Sequence, residues 1–143
     1  MTARMMTTRA QPAAPFAEVR HHPIVTWGLV LLFWIAAAVL AATCHTRLDG
    51  LSPSGGAVAA IASIAGVAYA YTRLCARCAG TAHALSAGIV WLLLAIVTEI
   101  AITSRTGHGW YSLIGTPDRP LLRNVVLFVW IFAPSVFTHR EIG

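Results

Sequence analysis

Long apolar runs alternate with short polar connections along the chain, and this pattern predicts four membrane-spanning helices. The apolar runs cover residues 24–43, 55–74, 85–104 and 121–138, and each contains at most one charged residue. A helix rises about 1.5 Å per residue and the hydrocarbon core of a bilayer is about 30 Å thick, so one crossing needs about 20 apolar residues. We therefore predict an all-α, polytopic membrane protein with four transmembrane helices in one bundle.

The chain before the first apolar run has a different composition. Residues 1–22 carry three arginines, one acid and two prolines within five positions, at Pro12 and Pro15. Proline removes a backbone donor and interrupts a helix. We predict a disordered N-terminal tail over residues 1–22 and a transmembrane domain over residues 23–143.

Composition and charge support lipid as the solvent and disfavour nucleic acid as a partner. Hydrophobic residues make up 57% of the chain and charged residues 10%, whereas about 25% is usual for soluble domains. The net charge of +5 comes from arginines at the ends of the apolar runs, where positive-inside topology and interfacial anchoring place them. Six of the ten arginines lie in the tail, in the second connection or at the C-terminus. This bias predicts that both termini are cytoplasmic. Arginine without lysine, beside abundant alanine, indicates a bacterial inner-membrane protein.

The second apolar run is rich in small residues. Ala62, Gly66 and Ala70 repeat at four-residue spacing and therefore share one helix face. Small residues allow close approach of two helices in lipid. We interpret this face as a packing surface, either inside the bundle or between copies, beside the alternative that the helix is merely alanine-rich.

Glu99 is the only acid inside a predicted span, and an ionisable group there is a functional hypothesis by default. It lies about 7 Å from the predicted outer end of its helix. Arg123 and Asn124 enter the fourth span from the same side and reach a similar depth. We expect an ion pair between Glu99 and Arg123, with Asn124 adding a hydrogen bond. The alternatives are a proton- or cation-coupled site at Glu99, or a carboxylate that faces water.

The connection between the third and fourth spans is long, at about 16 residues, for a link between helices. It is rich in glycine and aromatic residues, and either a lid over Glu99 or an anchor on the membrane surface fits this composition. Aromatic rings also mark the predicted interfaces elsewhere, at Trp27, Tyr69 and Tyr71. The polar and aromatic side chains of the outer loop are Arg105, His108, Trp110, Tyr111 and Asp118.

Histidine and cysteine give weak signals. No histidine lies in the middle of a span, and no two share a helix face at ligand spacing, so we predict no metal and no cofactor. Axial haem ligation through His83 with His22 or His139 is an open alternative. Cys75 and Cys78 form a CxxC that we interpret as incidental, because one such pair cannot complete a zinc site.

The sequence lacks a phosphate-binding glycine loop, a nucleophile elbow and paired carboxylates, so we expect no catalytic residues. The favoured interpretation is a non-enzymatic accessory or structural subunit, whose partners are the lipid bilayer and either other membrane subunits or further copies of itself. A small proton- or cation-coupled transporter using Glu99 is the first alternative. A haem- or quinone-linked redox protein is the second.

Overall fold

The fold is built from helices joined by turns, as seen in a computed structural model that describes residues 23–50, 52, 54–76 and 80–138. The predicted tail, Cys78, His22 and His139 lie outside the described residues. A π-helical turn, Thr72–Ala76, follows the second helix. The helices are α1 (Pro23–Leu48), α2 (Gly55–Tyr71), α3 (Gly80–Thr106), α4 (Tyr111–Ile114) and α5 (Pro120–Val136).

Three helical stretches are long and apolar enough to span a membrane, namely Ile24–Leu48, Gly55–Cys75 and Gly80–Thr106. α5 is apolar but has only 17 residues. At about 1.5 Å per residue its length is about 26 Å, slightly less than the hydrocarbon thickness. The predicted runs were shorter than α1 and α3 because apolarity marks the lipid-facing part of a helix, whereas the helix itself continues into polar residues at its ends.

The helices pack as two pairs. α1 lies along α2, α3 lies along α5, and α2 also contacts α5. Between them lies a core of large aromatic side chains, Trp34, Trp91, Trp130 and Tyr71. The indole nitrogen of Trp91 donates to the Val30 carbonyl at 2.9 Å and so joins α3 to α1. The opposite faces of the helices expose large apolar residues, as expected for surfaces that contact acyl chains.

The small-residue face of α2 is not the face that packs against the other helices. Ala62 and Gly66 are exposed, and a Cβ added at Gly66 would meet no atom within 4 Å. The buried stripe of α2 includes Ala60, Ile64 and Ala68 instead. The sequence spacing identified a face, but a neighbouring stripe with the same spacing packs inward, and its isoleucine makes more dispersion contacts than alanine or glycine can. An interface between copies at Ala62, Gly66 and Ala70 stays a prediction.

Tyr71 points into the protein rather than towards its surface, and its position near a membrane interface stays a prediction. Tyr71 is only 1% exposed and packs against Phe33 and Trp91 with ring-centroid distances of 5.5 and 5.8 Å. Tyr69 and Trp27, by contrast, are exposed. Tyr71 lies one turn past Ala68 on the buried face of α2, so helix periodicity takes it inward although its sequence position is near the end of the span.

Gly88 sets the distance between α3 and α5. A Cβ built at Gly88 would overlap the carbonyl group of Ile131, so the two helix backbones are in direct contact there. Close backbone approach at glycine is the usual way in which helices gain dispersion contacts in lipid, where no hydrophobic effect drives their association.

We predict that Gly88→Ala separates α3 from α5 and lowers the free energy of unfolding by about 1–3 kcal/mol, the usual effect of overpacking. The matched control is Gly28→Ala on α1, where a Cβ would meet no atom within 4 Å. Thermal unfolding of both variants in detergent measures the difference. Equal melting temperatures for the two variants would contradict the close contact.

Candidate functional site

Residues 107–119, here called the inserted segment, turn back between the helices after α3 ends. The segment contains α4, which contacts α1, α2, α3 and α5. Trp110 and Tyr111 are about half exposed, as a surface anchor would be, but Ser112 and Leu113 are 5% and 2% exposed. Trp110 and Tyr111 therefore lie at the surface, and the next two residues of the segment are buried among the helices.

A hydrogen bond from Trp130 fixes the depth of the inserted segment. The Trp130 indole nitrogen donates to the Leu113 carbonyl oxygen, and both groups are buried. Trp130 is ten residues into α5, which corresponds to about 15 Å along the helix axis. The side chain points back towards the helix N-terminus by several Å, so the Leu113 carbonyl lies among the helices rather than beyond the end of α5.

Two glycines let the segment pass between charged side chains. A Cβ at Gly109 would overlap Glu99 Oε1 and Thr103 Oγ1 on α3. A Cβ at Gly115 would collide with the backbone of Arg123 on α5, and Gly115 also has a φ of +86°. Only glycine combines this φ with so close an approach. The segment therefore passes directly against Glu99 at one end and Arg123 at the other.

Glu99 is the buried acid of the site. Its side chain is 6% exposed, and the backbone N–H of Trp110 donates to its carboxylate. The Oε2 atom is buried and has no hydrogen-bond partner among the described residues. The site thus places a carboxylate in apolar surroundings with one oxygen engaged by the inserted segment and one oxygen unengaged.

The other predicted partners of Glu99 are placed less closely. Arg123 acts electrostatically on the carboxylate, but its side chain is exposed and it does not bond to Oε2. Asn124 is exposed on α5. The direct ion pair and the Asn124 hydrogen bond stay predictions, and the donor that the sequence did not indicate is the Trp110 backbone. Backbone donors carry no side-chain signature, so only the fold could reveal it.

The remaining polar residues of the outer loop are exposed, and Glu99 is buried. Arg105 and Asp118 are exposed. His108 is exposed as well, and its Nδ1 lies 3.2 Å from the Thr106 carbonyl oxygen while the Thr106 hydroxyl donates to the His108 carbonyl at 2.6 Å. These bonds close the turn that leads from α3 into the inserted segment.

A second polar contact lies at the opposite end of the bundle. The Tyr71 hydroxyl and His83 Nε2 are 3.0 Å apart, and the ring of Trp27 lies 6.2 Å from that of His83. Cys75 packs against the same core and interacts electrostatically with Tyr71. Sequence analysis considered His83 and Cys75 separately and did not predict their contacts with Tyr71. Tyr71 and Cys75 precede the connection to α3 and His83 follows it, so only the fold shows that they are close.

An open groove runs between α2 and α5. Its lining is entirely apolar, so it has no group that could orient a polar substrate. The residues that line it are Ala65, Val125, Phe128, Val129, Phe132, Ala133, Val136 and Phe137.

Comparison with known proteins assigns no family: no family model, no curated protein and no solved structure matches the chain. The case for a function therefore depends on the geometry described above.

We predict that Trp130→Phe loosens the inserted segment, because the buried Leu113 carbonyl would lose its donor. Leaving such a group unsatisfied costs about 1–3 kcal/mol. Trp34→Phe is the matched control, since Trp34 is buried in the same core but its indole nitrogen has no hydrogen-bond partner. Unfolding free energies in mixed micelles compare the two, and a loss no larger for Trp130→Phe than for Trp34→Phe would refute the assigned role of this bond.

Gly109→Ala should displace the inserted segment from Glu99, because the added methyl group has no space beside the carboxylate. We expect several-fold faster chymotrypsin cleavage after Trp110 or Tyr111. The control is Gly50→Ala, in another connection, where a Cβ would meet no atom within 4 Å. Cleavage rates that match in the native chain and both variants would show that the segment is not held in this way.

Proposed function

We propose that this chain is a small multi-pass membrane protein that serves as a non-enzymatic accessory or structural subunit, assembled with other membrane proteins or with copies of itself. The observation that carries this proposal is the filled centre of the bundle. The rings of Trp91 and Trp130, both 0% exposed, pack 6.1 Å apart, and Trp34 lies 6.5 Å from Trp130. These side chains occupy the space that a path through a single chain would need.

The inserted segment supports the same proposal. It closes one end of the bundle and uses its own backbone to engage Glu99. A polar site that is occupied by the protein itself favours a stabilising role. The α2–α5 groove offers only apolar contacts, which suits lipid or protein neighbours.

The proposed topology has four crossings with both termini in the cytoplasm, in a bacterial inner membrane. α5 would make the fourth crossing. Its length of 17 residues is short by a few Å, and such a mismatch is accommodated by local bilayer thinning or by snorkelling of the flanking residues at a modest cost. An even number of crossings returns the chain to its starting side, in agreement with the arginine distribution.

The unengaged Oε2 of Glu99 favours a second candidate, proton- or cation-coupled transport. Because the centre of one chain is filled, a path in this version would have to lie between chains. Glu99 would then bind the coupling ion near the loop end of the bundle. The haem- or quinone-linked alternative stays a prediction.

The accessory role predicts that the chain, purified in mild detergent, is part of a discrete assembly with defined partners or copies. It also predicts that liposomes containing it show no more pH-driven ion flux than empty ones. Native mass spectrometry and a flux assay on the same sample provide the two measurements, and an absorbance spectrum detects haem.

Glu99→Gln is the control that separates the two candidates. An assembly of copies without other partners, whose flux disappears in Glu99→Gln, would replace the accessory role by coupled transport. A Soret band in the purified sample would instead favour the redox alternative.

A further inference from the structure

The environment of Glu99 is unusual for an ionised carboxylate. Glu99 is only 6% exposed, and one backbone N–H, that of Trp110, donates a hydrogen bond to its carboxyl group. Its Oε2 atom has no partner among the residues that the structure describes. An ionised carboxylate in such surroundings usually requires two or more donors or a directly bonded cation, because burial of an unpaired charge is strongly unfavourable.

We propose that Glu99 Oε2 is a proton-binding site and that its proton controls the position of the inserted segment. With the proton bound, the carboxyl group is neutral and the segment lies against it through Gly109 and the Trp110 N–H. When the proton leaves to water, the carboxylate requires solvent or a cation, and the segment moves away. This proposal goes beyond the accessory role and does not depend on it.

Arg123 supplies the cation for the deprotonated state. It lies on α5 next to Gly115, it is exposed, and it is the charged residue that acts on Glu99 across the site. Glu99 therefore has different partners in the two states. The protonated carboxyl group binds the Trp110 N–H, whereas the deprotonated carboxylate binds the Arg123 guanidinium and water. The released proton goes to bulk water at the loop end, so charge is conserved.

Among the described residues, Arg123 is the charged side chain that acts on Glu99. α3 places Thr103 one turn beyond Glu99, and the segment itself contributes the neutral backbone of Gly109. The buried residues of α1 on the loop half of the helix are alanines, at positions 37, 41 and 42. His45, at the end of α1, lies against Gly56 on α2, and His108 bonds back to Thr106. Glu99 is thus the group whose protonation the segment responds to.

The inserted segment is suited to such a movement. Its part from residue 107 to residue 115 begins and ends at glycines with φ of +70° and +86°, and glycine crosses between backbone regions at little steric cost. Beyond the turn in which Gly107 and His108 bond to the end of α3, the described hydrogen bonds from this part to neighbouring helices are the one at Glu99 and the one from Trp130 to Leu113. Loss of one of them removes a large part of what holds the segment.

Thiol labelling of the purified chain in detergent tests the proposal. The three native cysteines are replaced by serine, and Ser112→Cys reports the buried part of the segment, since Ser112 is 5% exposed. Tyr111→Cys, at a position that is 41% exposed, corrects for the faster reaction of every thiol at higher pH. We expect the ratio of the two maleimide rates to rise at least about tenfold between about pH 5 and about pH 8.

Two further variants assign that rise to named groups. Glu99→Gln keeps an acceptor for the Trp110 N–H but cannot ionise, so the ratio should stay low at every pH. Arg123→Gln removes the cation of the deprotonated state, so the rise should move to higher pH. A ratio that is independent of pH in the unaltered site, or a rise that survives Glu99→Gln, would overturn the proposal.

Infrared difference spectroscopy tests the proton on the chain with its native cysteines, which avoids any effect of the substitutions used for labelling. The same pH step should remove a carbonyl band of a protonated carboxylic acid, and Glu99→Gln should lack that band. A difference spectrum in which the chain and Glu99→Gln are identical would also overturn the proposal. Neither measurement involves partners or flux, so failure here leaves the accessory role untouched.

Discussion

Backbone polar groups that leave water must find partners inside the protein, and in this chain that requirement is most demanding at the inserted segment. A helix satisfies its own N–H and C=O groups, but a short turn among helices cannot. Glu99 on α3 accepts from the Trp110 N–H, and Trp130 on α5 donates to the Leu113 carbonyl. α3 and α5, whose backbones meet at Gly88, therefore each supply one side chain that holds the segment among the helices.

Polar contacts lie at both ends of the described helices, while the centre between the helices is aromatic. Trp91 bonds to the Val30 carbonyl, and Trp130 bonds to the segment. Both indoles thus fill the core and also use their single donor, as buried tryptophans usually do. Gly88 brings α3 and α5 together on one side of this level, and the inserted segment contacts both helices on the other. Close backbone contact on one side and inserted chain on the other define the shape of the site.

The sequence was informative where the physics is local. Hydropathy summed over a run located the three long helices, because each residue contributes independently to the transfer from water to lipid. It could not decide which face of α2 packs inward, since Ala60 and Ala62 begin stripes of equal spacing and the choice depends on the partner helix. Glu99 was identified as an isolated acid, but the depth of the inserted segment depends on Leu113 meeting Trp130, a contact between positions 17 residues apart.

The identity of residue 99 bears on whether the site is only structural. A backbone N–H such as that of Trp110 needs only an oxygen acceptor, and a glutamine carbonyl would provide one without any risk of burying a charge. A carboxyl group adds a second oxygen that the described residues leave unused and the capacity to gain or lose a proton. Holding the segment does not require either property. An ionisable side chain at this position therefore gives the site a chemical capacity that holding the segment does not use, and the carboxyl group that carries it is in contact with the segment itself.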